Sequence, residues 1–311
     1  MKNSLRVHAA LFVVALIYAA NYSISKDVMP SYMGPFGLVL LRVVGATLFF
    51  TVLSRLMAPH DRITGRADQL RSVACGILGI GLNQLLFFSG LNLTSPINAS
   101  LIQTIAPVVT VLASAVLLGE RLTGPRLLGI GLAGAGAASI ILSRGPVGVG
   151  SSSELLGDVY ILLNATAFGT YLVLVMPLMR KYHPFTVLAR IFLVGAFLAV
   201  PAGWQQVQAA DYGSFPVSIW VAIAYMDVCL TILAYLLNNW ALKYASPALL
   251  GAYIYLQPAL AVVIAVALGK DVLTWDRAWQ GLLIFGGVFL VSRKPQPAPA
   301  AASVPLEPVQ D

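Results

Sequence analysis

Apolar stretches long enough to cross a bilayer recur along this chain from its start to near its end. An α-helix rises about 1.5 Å per residue, so about 20 apolar residues span a hydrocarbon core. The stretches fall at residues 8–28, 34–54, 71–92, 96–118, 125–143, 157–179, 185–203, 217–242, 247–269 and 275–292. A transmembrane barrel would instead show short segments of alternating polarity. The pattern predicts an all-α integral membrane protein with ten transmembrane helices. Only 10% of the residues are charged, against about 25% in soluble domains, too few to clothe a water-facing surface. The first stretch follows Lys2 and Arg6 and ends near Ala19-Ala20, which is also the outline of a signal peptide. We read it as a retained helix, because the repeat described below needs it.

A net charge of +7 could point to nucleic acid. The 19 Lys and Arg sort by loop instead. With the N-terminus inside, 13 fall in inner loops and tails, including Arg55, Arg62, Arg66, Arg71, Arg180 and Lys181. Four fall in outer loops (Lys26, Arg144, Lys270 and Arg277), and Arg42 and Arg190 lie within helices. This bias predicts both termini in the cytoplasm, in a plasma membrane such as the bacterial inner membrane. The expected partners are the lipid bilayer and a small molecule, with no nucleic acid. Oligomeric state is not legible. Cys75 and Cys229 both fall inside helices and offer no metal-ligand spacing or disulfide framework.

The chain also repeats itself. Residues 88–107, "FSGLNLTSPINASLIQTIAP", align with residues 239–258, "NWALKYASPALLGAYIYLQP", at a constant offset of 151. Leu118-Gly119-Glu120 then aligns with Leu268-Gly269-Lys270 after a one-residue gap, Thr123 with Thr274, and Arg126 with Arg277. "PFGLVLLRVVG" from Pro35 resembles "PFTVLARIFLVG" from Pro184. The expected layout is a five-helix repeat over 1–145, a linker over 146–156, a second repeat over 157–293, and a disordered proline-rich tail over 294–311. Five is odd, so the second copy must enter the membrane from the other side. Two inverted five-helix repeats are a common plan of secondary transporters. Pro107 and Pro258 each stand eleven residues past the proline that opens their helix. That is about 16 Å, half the hydrocarbon core, so both are expected as hinges at the midplane beside a binding site.

These residues carry a resemblance. "ANYSISK" with Asn21 and Lys26, Arg42, "SPINAS", "LLGERLT", "ILAYLLNNWAL" and "YLQPALAV" resemble, in this order, the EamA-type transporters of the drug/metabolite transporter superfamily. The resemblance covers roughly 8–142 and 157–292. It implies ten helices and export of amino acids or other small metabolites, without ATP. Where the family often repeats its Gly-Glu pair, this chain has Gly269-Lys270-Asp271, which puts a symmetric role for Glu120 in question.

The residues agree that ATP is not the fuel, since no phosphate-cradling G-x-x-x-x-G-K-[ST] occurs. "GIGLAG" at Gly129, Gly131 and Gly134 matches a dinucleotide fingerprint but lies in an apolar helix with no preceding strand. With Gly136, Gly286 and Gly287 it is expected to be a face for close helix packing. No cofactor, metal or catalytic residue is assigned, and an intramembrane enzyme is disfavoured because no acid pair or histidine cluster reaches the midplane.

Charge inside a membrane suggests function. Asp227 falls near the midplane, and with Thr231, Tyr235 and Asn238 it forms a polar stripe at helical spacing. It is the candidate proton-coupling group, the alternative being a structural hydrogen bond. Arg42 would bind a substrate carboxylate, pair with an acid or snorkel, and Arg190 is expected to snorkel. Other candidates for substrate binding are Asn21, Tyr22, Ser25, Gln103, Asn164, Tyr171, Tyr235, Asn238, Tyr253 and Gln257, whose amides and hydroxyls suit a small polar or zwitterionic ligand. Glu120 is a candidate gate at a helix end. The function these features predict is a secondary active exporter of small metabolites such as amino acids, by alternating access. A passive facilitator of the same fold is the alternative.

Overall fold

The structure is a computed structural model; it describes residues 2–142, 151–234, 237, 240, 241, 244 and 247–292. The proline-rich tail, residues 146–150 of the expected linker, and Tyr235 and Asn238 lie outside the described residues. Among the described residues every regular element is helical. In chain order these are α1 (Lys2–Val28), α2 (Pro35–Met57), α3 (Arg66–Leu93), α4 (Pro96–Leu118), α5 (Gly124–Leu142), α6 (Ser151–Lys181), α7 (Pro184–Ala209), α8 (Val217–Leu233), α9 (Pro247–Ala267) and α10 (Trp275–Ser292). α1 to α7 are each long and apolar enough to cross a membrane, whereas Val217–Leu233 and Tyr253–Ala267 are shorter apolar helices. α6 begins at Ser151, inside the stretch read from sequence as a linker. Lys26, expected in an outer loop, lies in the last turn of α1.

The starts and stops follow local chemistry. Pro35, Pro96 and Pro184 each open a helix, where the missing N–H costs nothing. The Ser95 hydroxyl caps α4 by accepting from the Asn98 N–H at 3.3 Å. α4 and α9 end at Gly119 and Gly269, with φ of 71° and 64°, a left-handed turn in which a side chain would be strained.

The helices present apolar side chains outward, among them Leu48, Val116 and Phe197, as lipid contact requires. Inside, α2 packs on α7, α5 on α10, α1 on α9, and α6 against both α3 and α4. The α5–α10 contact is so close that a Cβ on Gly129 would stand 2.5 Å from the Gly287 carbonyl oxygen. Gly136 faces Ile284 and the Gln280 carbonyl at similarly short range. The packing face expected from sequence is thus Gly129, Gly136 and Gly287. Gly131, Gly134 and Gly286 have open space where a Cβ would go and are not part of it.

Candidate functional site

Three helices depart from regular α geometry near their middles, and the departures surround one cavity. α4 breaks at Thr104-Ile105, where the Thr104 and Ile105 N–H groups reach back only three residues, to Leu101 and Ile102. Pro107 follows, in the first turn of the resumed helix. A proline there has no N–H to satisfy, and its ring would clash in an unbroken helix. α9 behaves differently: it runs unbroken through Pro258. The interruption expected in both halves is present in one. α3 widens into a π segment over Ile77–Leu82, and α8 does the same over Tyr225–Leu233. Such segments occur often at functional sites.

The cavity has a volume of about 750 Å³, within the usual range for small-molecule sites. Asn21, Tyr22, Arg42, Gln103, Asn164, Tyr171, Tyr253 and Gln257 all line it, and so do Pro107 and Pro258. Sequence reasoning missed Tyr18, Asn83, Gln84 and Thr110, which also line it. Much of the remaining wall is apolar or aromatic, including Phe50, Phe87, Phe168 and Phe192. Arg42 is the one charged side chain among the described lining residues, and it is 7% exposed. Its Nη1 donates to Gln84 Oε1 at 3.0 Å, its guanidinium lies 4.9 Å over the Phe88 ring, and its Nε has no partner. Asn164 donates from Nδ2 to the Asn83 carbonyl at 2.7 Å, leaving its own Oδ1 without a partner.

Other expected residues fall elsewhere. Ser25 is fully buried outside the lining, donating to Asn21 Oδ1 at 3.0 Å and lying 3.3 Å from Met226 Sδ. Asp227 is likewise outside the lining, although Thr231 of the same stripe lines it. One oxygen of Asp227 lies 3.8 Å from where a Gly45 Cβ would be, which puts the carboxylate against α2, and its Oδ1 is buried with no partner. Arg190 is exposed. Glu120 is exposed and meets Arg126 at 3.8 Å.

The cavity occupies one side of the molecule. Along α1 the lining runs from Leu11 to Tyr22 and stops, and along α9 it stops at Pro258. Past it, at the end where α1 finishes, polar and charged groups tie six helix ends together. Lys26 Nζ donates to the carbonyls of Leu91, Asn92 and Thr94 at 2.9–3.1 Å, neutralising the C-terminus of α3. Lys270 bonds Asp27 and the Ser23 carbonyl. Asp271 accepts from the Ile97 N–H at 3.2 Å and from Arg277. Thr94 bonds Asp158 at the start of α6. Burial pushes the Asp271 carboxyl up, but hydrogen bonds from Ser95, Arg277 and the Val272 N–H outweigh it and hold the group below the usual carboxylate range.

Known proteins match this arrangement. The model of the EamA-like transporter family matches residues 5–142 and again 155–293. The "Uncharacterized transporter YyaM" of Bacillus subtilis (strain 168) is 22% identical, over 91% of this chain and 92% of that protein. The "Probable terminal-alkyne amino-acid exporter" of Streptantibioticus cattleyicolor is 27% identical, over 95% of this chain and 96% of that protein. The "WAT1-related protein At3g53210" of Arabidopsis thaliana is 24% identical, over 89% and 80%. A solved crystal structure shares the fold, with a TM-score of 0.59 and 21% identity over 92% of this chain and 97% of the other. A bundle of apolar helices around a one-sided cavity, matched twice by one family model, makes this chain a multi-pass membrane transporter that belongs to the EamA-like transporter family.

Proposed function

We propose that the chain is a secondary active transporter that exports small metabolites such as amino acids by alternating access. The observation that carries this reading is the one-sided cavity, bounded at its far end by the network of Lys26, Lys270, Asp271 and Arg277. Closing the near end and releasing the far one would move the same site to the other face. The double match of the family model and the reciprocal packing of α1 on α9 and α6 on α4 support two inverted five-helix repeats. In this reading α8, α9 and α10, which fall short of the length or apolarity of α1 to α7, also cross the membrane and bring the spans to ten. The Lys and Arg bias supports cytoplasmic termini and a plasma membrane. In that orientation the cavity lies toward the cytoplasm.

Asp227 is the proposed proton-coupling group, because its Oδ1 is buried without a partner beside the helix that carries Arg42. Reconstitution into proteoliposomes with an amino-acid panel, with and without a pH gradient, tests both parts. Accumulation against a gradient is expected. Equilibration without accumulation would make the protein a facilitator, and an Asp227→Asn variant that transports normally across the pH range would remove Asp227 from coupling.

A further inference from the structure

Arg42 is nine-tenths buried, yet it lines a cavity and its Nε has no partner. A buried cation is costly unless it is paired. Among the described residues no carboxylate lines the cavity, and the nearest charged partner of Arg42 is Asp227 of α8, which acts on it electrostatically from outside the lining without a direct ion pair. Its direct contacts are neutral: the Gln84 amide on one side and the Phe88 ring on the other. A planar fork fixed in this way, with donors left over, matches a carboxylate.

An amino group would fare differently. Among the buried side-chain atoms of the lining, the acceptors without a partner are Gln103 Oε1 and Asn164 Oδ1, both uncharged amide oxygens. They can accept an N–H but supply no full charge to offset the desolvation of an ammonium. Asn164 and Arg42 are anchored to consecutive residues of α3, the Asn83 carbonyl and the Gln84 side chain. Both groups are thereby brought to the same level of the cavity.

We propose that Arg42 is a carboxylate-binding subsite oriented by Gln84, and that the cavity recognises its ligand by a carboxylate and not by a charged amine. This rests on the cavity being the transport site and names the class of substrate it takes: a monocarboxylate with an apolar or aromatic body, with or without an amino group. The amide acceptors then serve as an accessory contact for an N–H.

The test is thermal unfolding of the detergent-purified full chain with three probes: 3-phenylpropionate, L-phenylalanine and phenethylamine. The two carboxylates raise the melting temperature and phenethylamine does not. Gln84→Glu sets a carboxylate of the protein's own on Arg42. It keeps or raises the ligand-free melting temperature and abolishes the response to both carboxylates, which a merely structural role for Gln84 would not do. Arg42→Lys keeps the charge but loses the fork, and raises the half-saturating concentration about 10- to 100-fold. The proposal is overturned by an equal response to phenethylamine, by a carboxylate response that survives in Gln84→Glu, or by no response of the wild type to either carboxylate. Carboxylates that bind to a protein whose proteoliposomes move no solute would refute the transport reading and leave this subsite standing.

Discussion

Two ion pairs stand at equivalent places in the two halves and are built to opposite standards. Glu120 and Asp271 are 151 residues apart, and so are their partners Arg126 and Arg277. At the near end Glu120 meets Arg126 at 3.8 Å, with half of its side chain exposed. At the far end Asp271 meets Arg277 at 2.5 Å, is 9% exposed, and also accepts from the Ile97 and Val272 N–H groups. The acid of the repeat is therefore kept in the second half, one residue later than the Gly-Glu alignment suggests. The additional residue is Lys270, which reaches α1 through Asp27 and the Ser23 carbonyl. A one-residue change in a helix-ending loop converts a loose surface pair into a junction of several helices.

The largest test of this difference is Asp271→Ala, which strands Arg277 and the Ile97 N–H and should cost about 2 kcal/mol of stability. Thermal unfolding reads this, and Arg277→Ala combined with it should add less than the sum of the two single losses. Acid should erase the same contribution. The folded value of Asp271 lies below its unfolded one, so its stabilisation is complete above the usual carboxylate value of about 3.9 and is lost as pH falls through the folded value. The stability gap between wild type and Asp271→Asn should therefore close toward low pH. The glycines before the two pairs are alike, so Gly119→Ala and Gly269→Ala should each cost about 1 kcal/mol. A large inequality between them would show that the loops differ in backbone and not only in charge. The smallest effect belongs to Glu120→Ala, below about 0.5 kcal/mol and weaker still in high salt. A loss equal to that of Asp271→Ala would break the comparison.

Much of the cavity lining was legible because a membrane helix has few polar residues and cannot turn them to lipid. Asn21, Gln103, Asn164 and Gln257 were identifiable on that ground alone, and all four line the cavity. The same rule could not separate a cavity from a helix contact, so Ser25 and Asp227 were named although they lie outside the lining. Gln84 was passed over despite its polarity, because only its bond to Arg42 gives it meaning. The two matching prolines marked the cavity but not its asymmetry. An apolar helix tolerates Pro258 in an unbroken run where Pro107 accompanies a break. The glycine stripe shows the limit of spacing: small residues in a row fix which helix is approached, while the choice of Gly129 over Gly131 needs the partner's backbone.

The π segments of α3 and α8 carry a consequence for motion. Ile77–Leu82 and Tyr225–Leu233 overlap when shifted by the 151-residue offset of the sequence, and a π turn holds about one residue more than an α turn. Expelling that residue restores α geometry and turns everything beyond it by about 100°. In α3 the residues directly beyond are Asn83 and Gln84, the two that hold Asn164 and Arg42. A quarter-turn of one half-helix would unlatch both contacts without pulling any pair of helices apart. For a transport cycle of the proposed kind, the consequence would be a screw motion in α3, with its thread beside Asn83 and Gln84.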